Sequence, residues 1–114
     1  MTEFRLYLAQ RISALIMVPL VLGHIAMMIY AVQDGLSAEE ILGRTQGSVL
    51  WTLFYGTFVL GAAVHAAIGL RNIVSEWCGV HGVLLAGLSW ATFWGLLMTG
   101  FYAVAAVTSG PVAT

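Results

Sequence analysis

Three histidines and four arginines stand out in a chain of 114 residues that is 61% hydrophobic and only 8% charged. His24 and His65 fall inside long apolar runs, and His81 lies just ahead of a third. An imidazole in a lipid-spanning helix costs less than a charge but still requires a partner, so each is a candidate functional group. His65 has the most specific surroundings. In Gly61-Ala62-Ala63-Val64-His65-Ala66-Ala67-Ile68-Gly69 the residues four before and four after the imidazole are both glycine, and positions four apart share a helix face. Two readings follow. The clearing suits a planar macrocycle whose iron takes His65 as an axial ligand, as in haem proteins. Alternatively, the glycines serve helix packing and His65 hydrogen-bonds a neighbouring carbonyl.

His24 has bulkier neighbours, with Leu20 and Met28 at four residues and Met27 at three, although Gly23 and Ala26 are small. Pro19 removes a backbone donor and predicts a kink near Leu15, which either makes room for a ligand or serves packing. His24 and His65 are expected about 8 to 10 Å apart in depth at the helical rise. They do not readily share one iron. If both are ligands, each needs an opposing histidine from another chain, and two haems lie at different depths. Arg11 opens the first run and Arg71 follows His65 by six residues. Interfacial arginines anchor topology by snorkelling, and they also pair bidentately with carboxylates such as haem propionates. Ser13 has a hydroxyl that can donate to a quinone carbonyl or bond back to its own helix. Glu76 is expected to pair with Arg71, and Tyr7, Trp51 and Trp77 to sit in the interfacial belt.

The elements that must position these groups are readable from charge. The nine charged residues (Glu3, Arg5, Arg11, Asp34, Glu39, Glu40, Arg44, Arg71, Glu76) leave residues 12–33, 45–70 and 77–114 uncharged, each run long enough for the roughly 20 residues that cross a bilayer. So few charges cannot cover a water-facing surface, which excludes a soluble or disordered chain. A net charge of -1 without a basic stripe excludes nucleic-acid binding. The expected fold is an all-α membrane protein with three transmembrane helices, about 9–33, 47–72 and 81–108, in an up-down-up bundle forming a single domain over residues 1–114. Asp34-Gly35 ends the first helix, and a Ser37/Glu40 capping box starts a short surface helix over about 37–43. Gly79 and Gly82 suit the second turn, and Gly110-Pro111 marks the tail. The first apolar run outlasts a signal-peptide core, so it is expected to remain in the mature protein. Arg5, Arg11 and Arg71 against Arg44 alone place the N-terminus in the cytoplasm. Thirteen glycines let backbones approach closely, and so partner helices from other chains are expected. Single Cys78 offers no intrachain disulfide. No phosphate-binding loop, dinucleotide fingerprint, HExxH or nucleophile elbow supports a self-contained enzyme.

Gln10-Arg11-Ile12-Ser13-Ala14, then His65-Ala66-Ala67-Ile68-Gly69-Leu70-Arg71 and Glu76, resemble the membrane-anchor cytochrome b subunits of succinate dehydrogenase and fumarate reductase. The resemblance runs along almost the whole chain. It implies that His65 is an axial ligand of haem b, that Arg71 and Arg11 lie near propionates, and that Ser13 with Arg11 borders a ubiquinone or menaquinone site. The implied partners are a second membrane-anchor subunit, an iron-sulfur subunit and a flavoprotein subunit, in a bacterial inner membrane, with electrons passing from the iron-sulfur subunit to quinone. Single-haem members often carry histidine where this chain has Gln10 and Asn72, whereas a histidine within the first helix, as at His24, resembles the two-haem subdivision. The competing reading is a haem-free structural anchor, or a small transport or assembly subunit. A transporter would carry several ionisable groups at the midplane, whereas these spans hold only His24 and His65.

Overall fold

The computed structural model describes residues 3–109, so the Gly110-Pro111 tail lies outside the described residues. Four helices follow in order: α1 (Glu3–Asp34), α2 (Ala38–Thr45), α3 (Val49–Cys78) and α4 (Gly82–Thr108). There is no strand among the described residues. α1, α3 and α4 are each long and apolar enough to cross a membrane. At about 1.5 Å per residue they run roughly 40 to 48 Å, beyond the ~30 Å hydrocarbon core. α1 begins six residues before the expected start and α3 runs six residues past the expected end. Hydropathy marks where the lipid stops, whereas the helix continues into water. α1 is also continuous through Pro19.

The connections follow the local chemistry of their residues. Gly35, at φ 146°, turns the chain out of α1, and its N–H donates to the Ala31 carbonyl at 2.8 Å. Ser37 then caps α2: its hydroxyl accepts from the Glu40 N–H at 3.2 Å while its own N–H donates to the Glu40 carboxylate at 3.0 Å. Arg44 folds back on Asp34 at 3.3 Å and donates to the Gly35 carbonyl, closing the loop. At the other turn Gly79 (φ 67°) and Gly82 (φ 70°) take left-handed conformations that a side chain would strain.

α2 also closes the end of α4. The last four carbonyls of a helix lack partners within it. Here Thr45 donates to the Val107 carbonyl at 2.6 Å, the Gly47 N–H to Thr108 at 2.7 Å, and the Gln46 amide to Ser109 at 3.2 Å. The surface helix is thus a polar lid on a transmembrane one.

α3 is the central helix. It packs on both α1 and α4, while those two share almost no contact with each other. Both seams use small residues. Ala63 is fully buried and Ala67 is 6% exposed. A Cβ on Gly100 would run into Val59, whose Cγ2 would lie 3.0 Å away, and one on Gly23 would lie 3.0 Å from the Phe54 ring. Large apolar side chains such as Leu15, Val32, Leu53 and Leu84 face outward, as they do where lipid is the solvent.

Two expectations follow from these contacts. Alanine is favoured over glycine inside a helix by about 1 kcal/mol, but overpacking a tight contact costs about 1 to 3 kcal/mol. Gly100→Ala should therefore lower the thermal unfolding midpoint of the detergent-solubilised chain, and adding Val59→Ala should raise it again; an unchanged midpoint in the single variant would exclude the seam. The second concerns α2. The Ser37 N–H and hydroxyl hold the Glu40 carboxyl below its ordinary range, with a smaller contribution from Arg44. A lowered folded-state pKa adds stability above the unfolded value of about 4.3, lost as pH falls through the folded value. Intrinsic-rate-corrected amide exchange in α2 should therefore rise on acidification below about 4.3, and Glu40→Gln should flatten that dependence.

Candidate functional site

The seam between α1 and α3 brings together residues 52 and 55 positions apart. The His65 Nδ1 lies 3.3 Å from the Gln10 carbonyl oxygen and 3.5 Å from the Ser13 hydroxyl. Ser13 donates its own proton to the same carbonyl at 2.9 Å. A carbonyl only accepts, so Nδ1 carries the proton, and the Ser13 oxygen is a second acceptor for it. The tautomer is therefore set: Nε2 keeps its lone pair. Ser13 is only 5% exposed, so its hydroxyl supports the imidazole from behind.

Gly61 and Gly69 allow this approach. A Cβ on Gly61 would lie 3.1 Å from Met17, and one on Gly69 would lie 3.4 Å from the Gln10 amide. In this chain the glycines face α1, on the side of α3 that they share with His65. Of the two readings of this motif, the helix-packing one with a carbonyl partner describes Nδ1. Nε2 remains available to a ligand. His65 lines an apolar groove of about 330 Å³ with Ala14, Met17, Val18, Val21 and Leu22 of α1.

Gln10 has a further tie. Its side-chain carbonyl accepts from the Asn72 amide at 3.3 Å. Gln10 and Asn72 thus pair with each other across the seam. Sequence reasoning noted each alone; antiparallel pairing of the start of α1 with the end of α3 would have joined them.

His24 sits elsewhere. Its ring makes edge-to-face contacts with Tyr55 and Phe58 at centroid distances of 5.8 and 5.4 Å. Those residues lie seven to ten positions before His65 on α3, or about 10 to 15 Å at the helical rise. Along α3 this separation starts at the upper end of the 8 to 10 Å expected. The His24 Nδ1 is buried with no hydrogen-bond partner. His81 is the exposed N-cap residue of α4 and makes no side-chain cap bond.

The arginines divide. Arg11 is exposed, donates to the Tyr7 hydroxyl at 3.2 Å and lies over its ring. It stands three residues before Ala14 and seven before Val18, on the flank of α1 that borders the His65 groove. Arg71 instead lines a second groove of about 440 Å³ that shares no residue with the first. Its carboxylate partner is Glu3, at 3.3 Å, and not Glu76, which is exposed. Five residues turn a helix through 500°, so positions 71 and 76 point apart.

An imidazole whose outer nitrogen donates to a backbone carbonyl is the usual arrangement of a metal-ligating histidine, so the His65 surroundings fit an axial haem ligand. His24 lacks that outer partner, and its fit is incomplete within this chain. Among the described residues no three His, Cys, Asp or Glu side chains converge on a metal site; an axial position requires only one imidazole.

No curated protein and no solved structure matches the chain significantly. The family model described as the succinate dehydrogenase/fumarate reductase transmembrane subunit matches residues 2–107. That span includes Arg11, Ser13, His24, His65 and Arg71, and takes in all of α1 and α3 and all but the last residue of α4. The chain belongs to the family of transmembrane subunits of succinate dehydrogenase and fumarate reductase.

Proposed function

We propose that this subunit holds haem b and borders a quinone site in a succinate:quinone oxidoreductase of a bacterial inner membrane, serving the step between a docked iron-sulfur subunit and quinone. The observation that carries the reading is His65: Nδ1 held by the Gln10 carbonyl, Nε2 left with its lone pair beside an apolar groove. When bound, haem b supplies one-electron transfer within the membrane. His65 is the ligand from this chain, and the opposing ligand comes from the second membrane-anchor subunit. Ser13 and Gln10 fix the imidazole ring.

Arg11, on the flank of the His65 groove, is the group that meets a propionate or a ubiquinone or menaquinone carbonyl. Ser13, bordering the same site, acts on it through the imidazole that it contacts. The resemblance assigns Arg71 to a propionate as well; its opening onto the other groove favours Arg11 for the His65 side. At His24 a buried polar nitrogen without a partner costs about 1 to 3 kcal/mol, which favours a second ligand site completed by another chain. Three arginines at the α1 start and α3 end, against Arg44 at the opposite end, support a cytoplasmic N-terminus. The iron-sulfur subunit, with the flavoprotein subunit behind it, then docks on the face where Glu3, Arg5, Arg11 and Glu76 project.

A haem-free anchor is the second reading, favoured by the packing of Gly61 and Gly69 against α1. The visible spectrum decides between them. In the purified complex His65→Ala should remove a b-type haem from the dithionite-reduced minus oxidised spectrum, and unchanged haem per copy would reject His65 as its ligand. Ser13→Ala should slow quinone reduction several-fold while succinate oxidation with an artificial dye stays intact; equal loss in both assays would assign Ser13 to assembly alone.

A further inference from the structure

α1 and α4 flank α3 and scarcely touch each other, which leaves a channel on the side of α3 away from the His65 groove. Leu6 and Ala9 form one wall, Ala86, Trp90 and Phe93 the other, and Ala67 and Ile68 the floor. Arg71 is the one charged residue in the lining. From Arg71 to Val64 the channel runs about 10 Å along α3 at the helical rise. Its charged end lies where α1 and α3 leave the hydrocarbon, and Arg5 stands four residues before Ala9 on the same face of α1.

We propose that this groove binds an anionic phospholipid, with its phosphate on Arg71 and one acyl chain along Ala67, Ile68 and Trp90. A gap between helices in a bilayer is filled by something apolar, since no water is available to it. The charge selects the headgroup. A guanidinium at the interface is complementary to a phosphate diester, whereas a quinone carbonyl can hydrogen-bond to it but leaves its charge without a counter-ion, and no histidine lines this groove to hold a haem. Glu3 shows that an anionic oxygen reaches Arg71 at 3.3 Å. Its carboxylate is 80% exposed, and an exposed ion pair is weak enough to yield to a lipid phosphate. The site is independent of whether His65 carries a haem.

The test uses the complex purified through the full-length chain in detergent, with bound lipid extracted and counted by mass spectrometry. About one phosphatidylglycerol or cardiolipin per copy should be retained, and Arg71→Gln should lower that at least fivefold. Arg71→Lys, which keeps the charge, should retain most of it, and Ala86→Leu, which fills the groove, should lose it. Millimolar inorganic phosphate should not displace it. Wild-type retention in Arg71→Gln, equal retention of phosphatidylethanolamine, release by phosphate alone, or loss of quinone in place of phospholipid would each overturn the proposal. So would a cross-link from position 90 to a partner helix that excludes lipid.

Discussion

A single main-chain carbonyl, that of Gln10, accepts from both the Ser13 hydroxyl and the His65 ring. In lipid no water is available to satisfy a polar group, so a histidine on a spanning helix must find its partner within the protein. A helix carbonyl normally accepts from the N–H four residues on, and it has a second lone pair that stays unused. Ser13 and His65 use that capacity. The arrangement demands that α1 and α3 lie close, which is eased by glycine at 61, where a Cβ would lie 3.1 Å from Met17, and by a small residue at 13. Side-chain size along the seam is thus set by the need to satisfy one imidazole nitrogen.

The same constraint explains why α3 is central. Its two long seams are built from Gly56, Gly61, Ala63, Ala67 and Gly69, residues too small to form a hydrophobic core in water. Between helices in lipid they serve better than leucine, because close backbone approach and packing, not burial from water, hold such helices together. The cost is that α1 and α4, each drawn to α3, do not close on one another. The gap between them is the groove lined by Arg71, separate from the one that His65 lines with α1, and the groups with chemistry to offer are distributed between the two.

The three spans, the capping box at Ser37 and the glycine turns were legible in the sequence, because charge, hydropathy and turn chemistry act locally. Helix ends at Glu3 and Cys78 were not, since hydropathy reports the lipid and not the helix. The glycines around His65 were legible as a close contact, but not as to whose: their spacing defines a face, and only the antiparallel register of α1 says what covers it. The Glu3–Arg71 pair and the Gln10–Asn72 pair were hidden for the same reason. Residues 68 and 62 positions apart meet only once the register is known, and nothing local signals it.

That register also separates the two histidines in kind as well as in depth. His65 has its outer nitrogen satisfied inside the chain, so it can present Nε2 without help. His24 lies edge-to-face with Tyr55 and Phe58 and its buried Nδ1 makes no hydrogen bond. An unpaired buried nitrogen in lipid is a standing penalty, and no hydrogen bond among the described residues removes it. Satisfaction must therefore come from rotation of the ring on assembly or from a group on a neighbouring chain. In either case the His24 level depends on association, whereas the His65 level is already ordered by the fold of this chain.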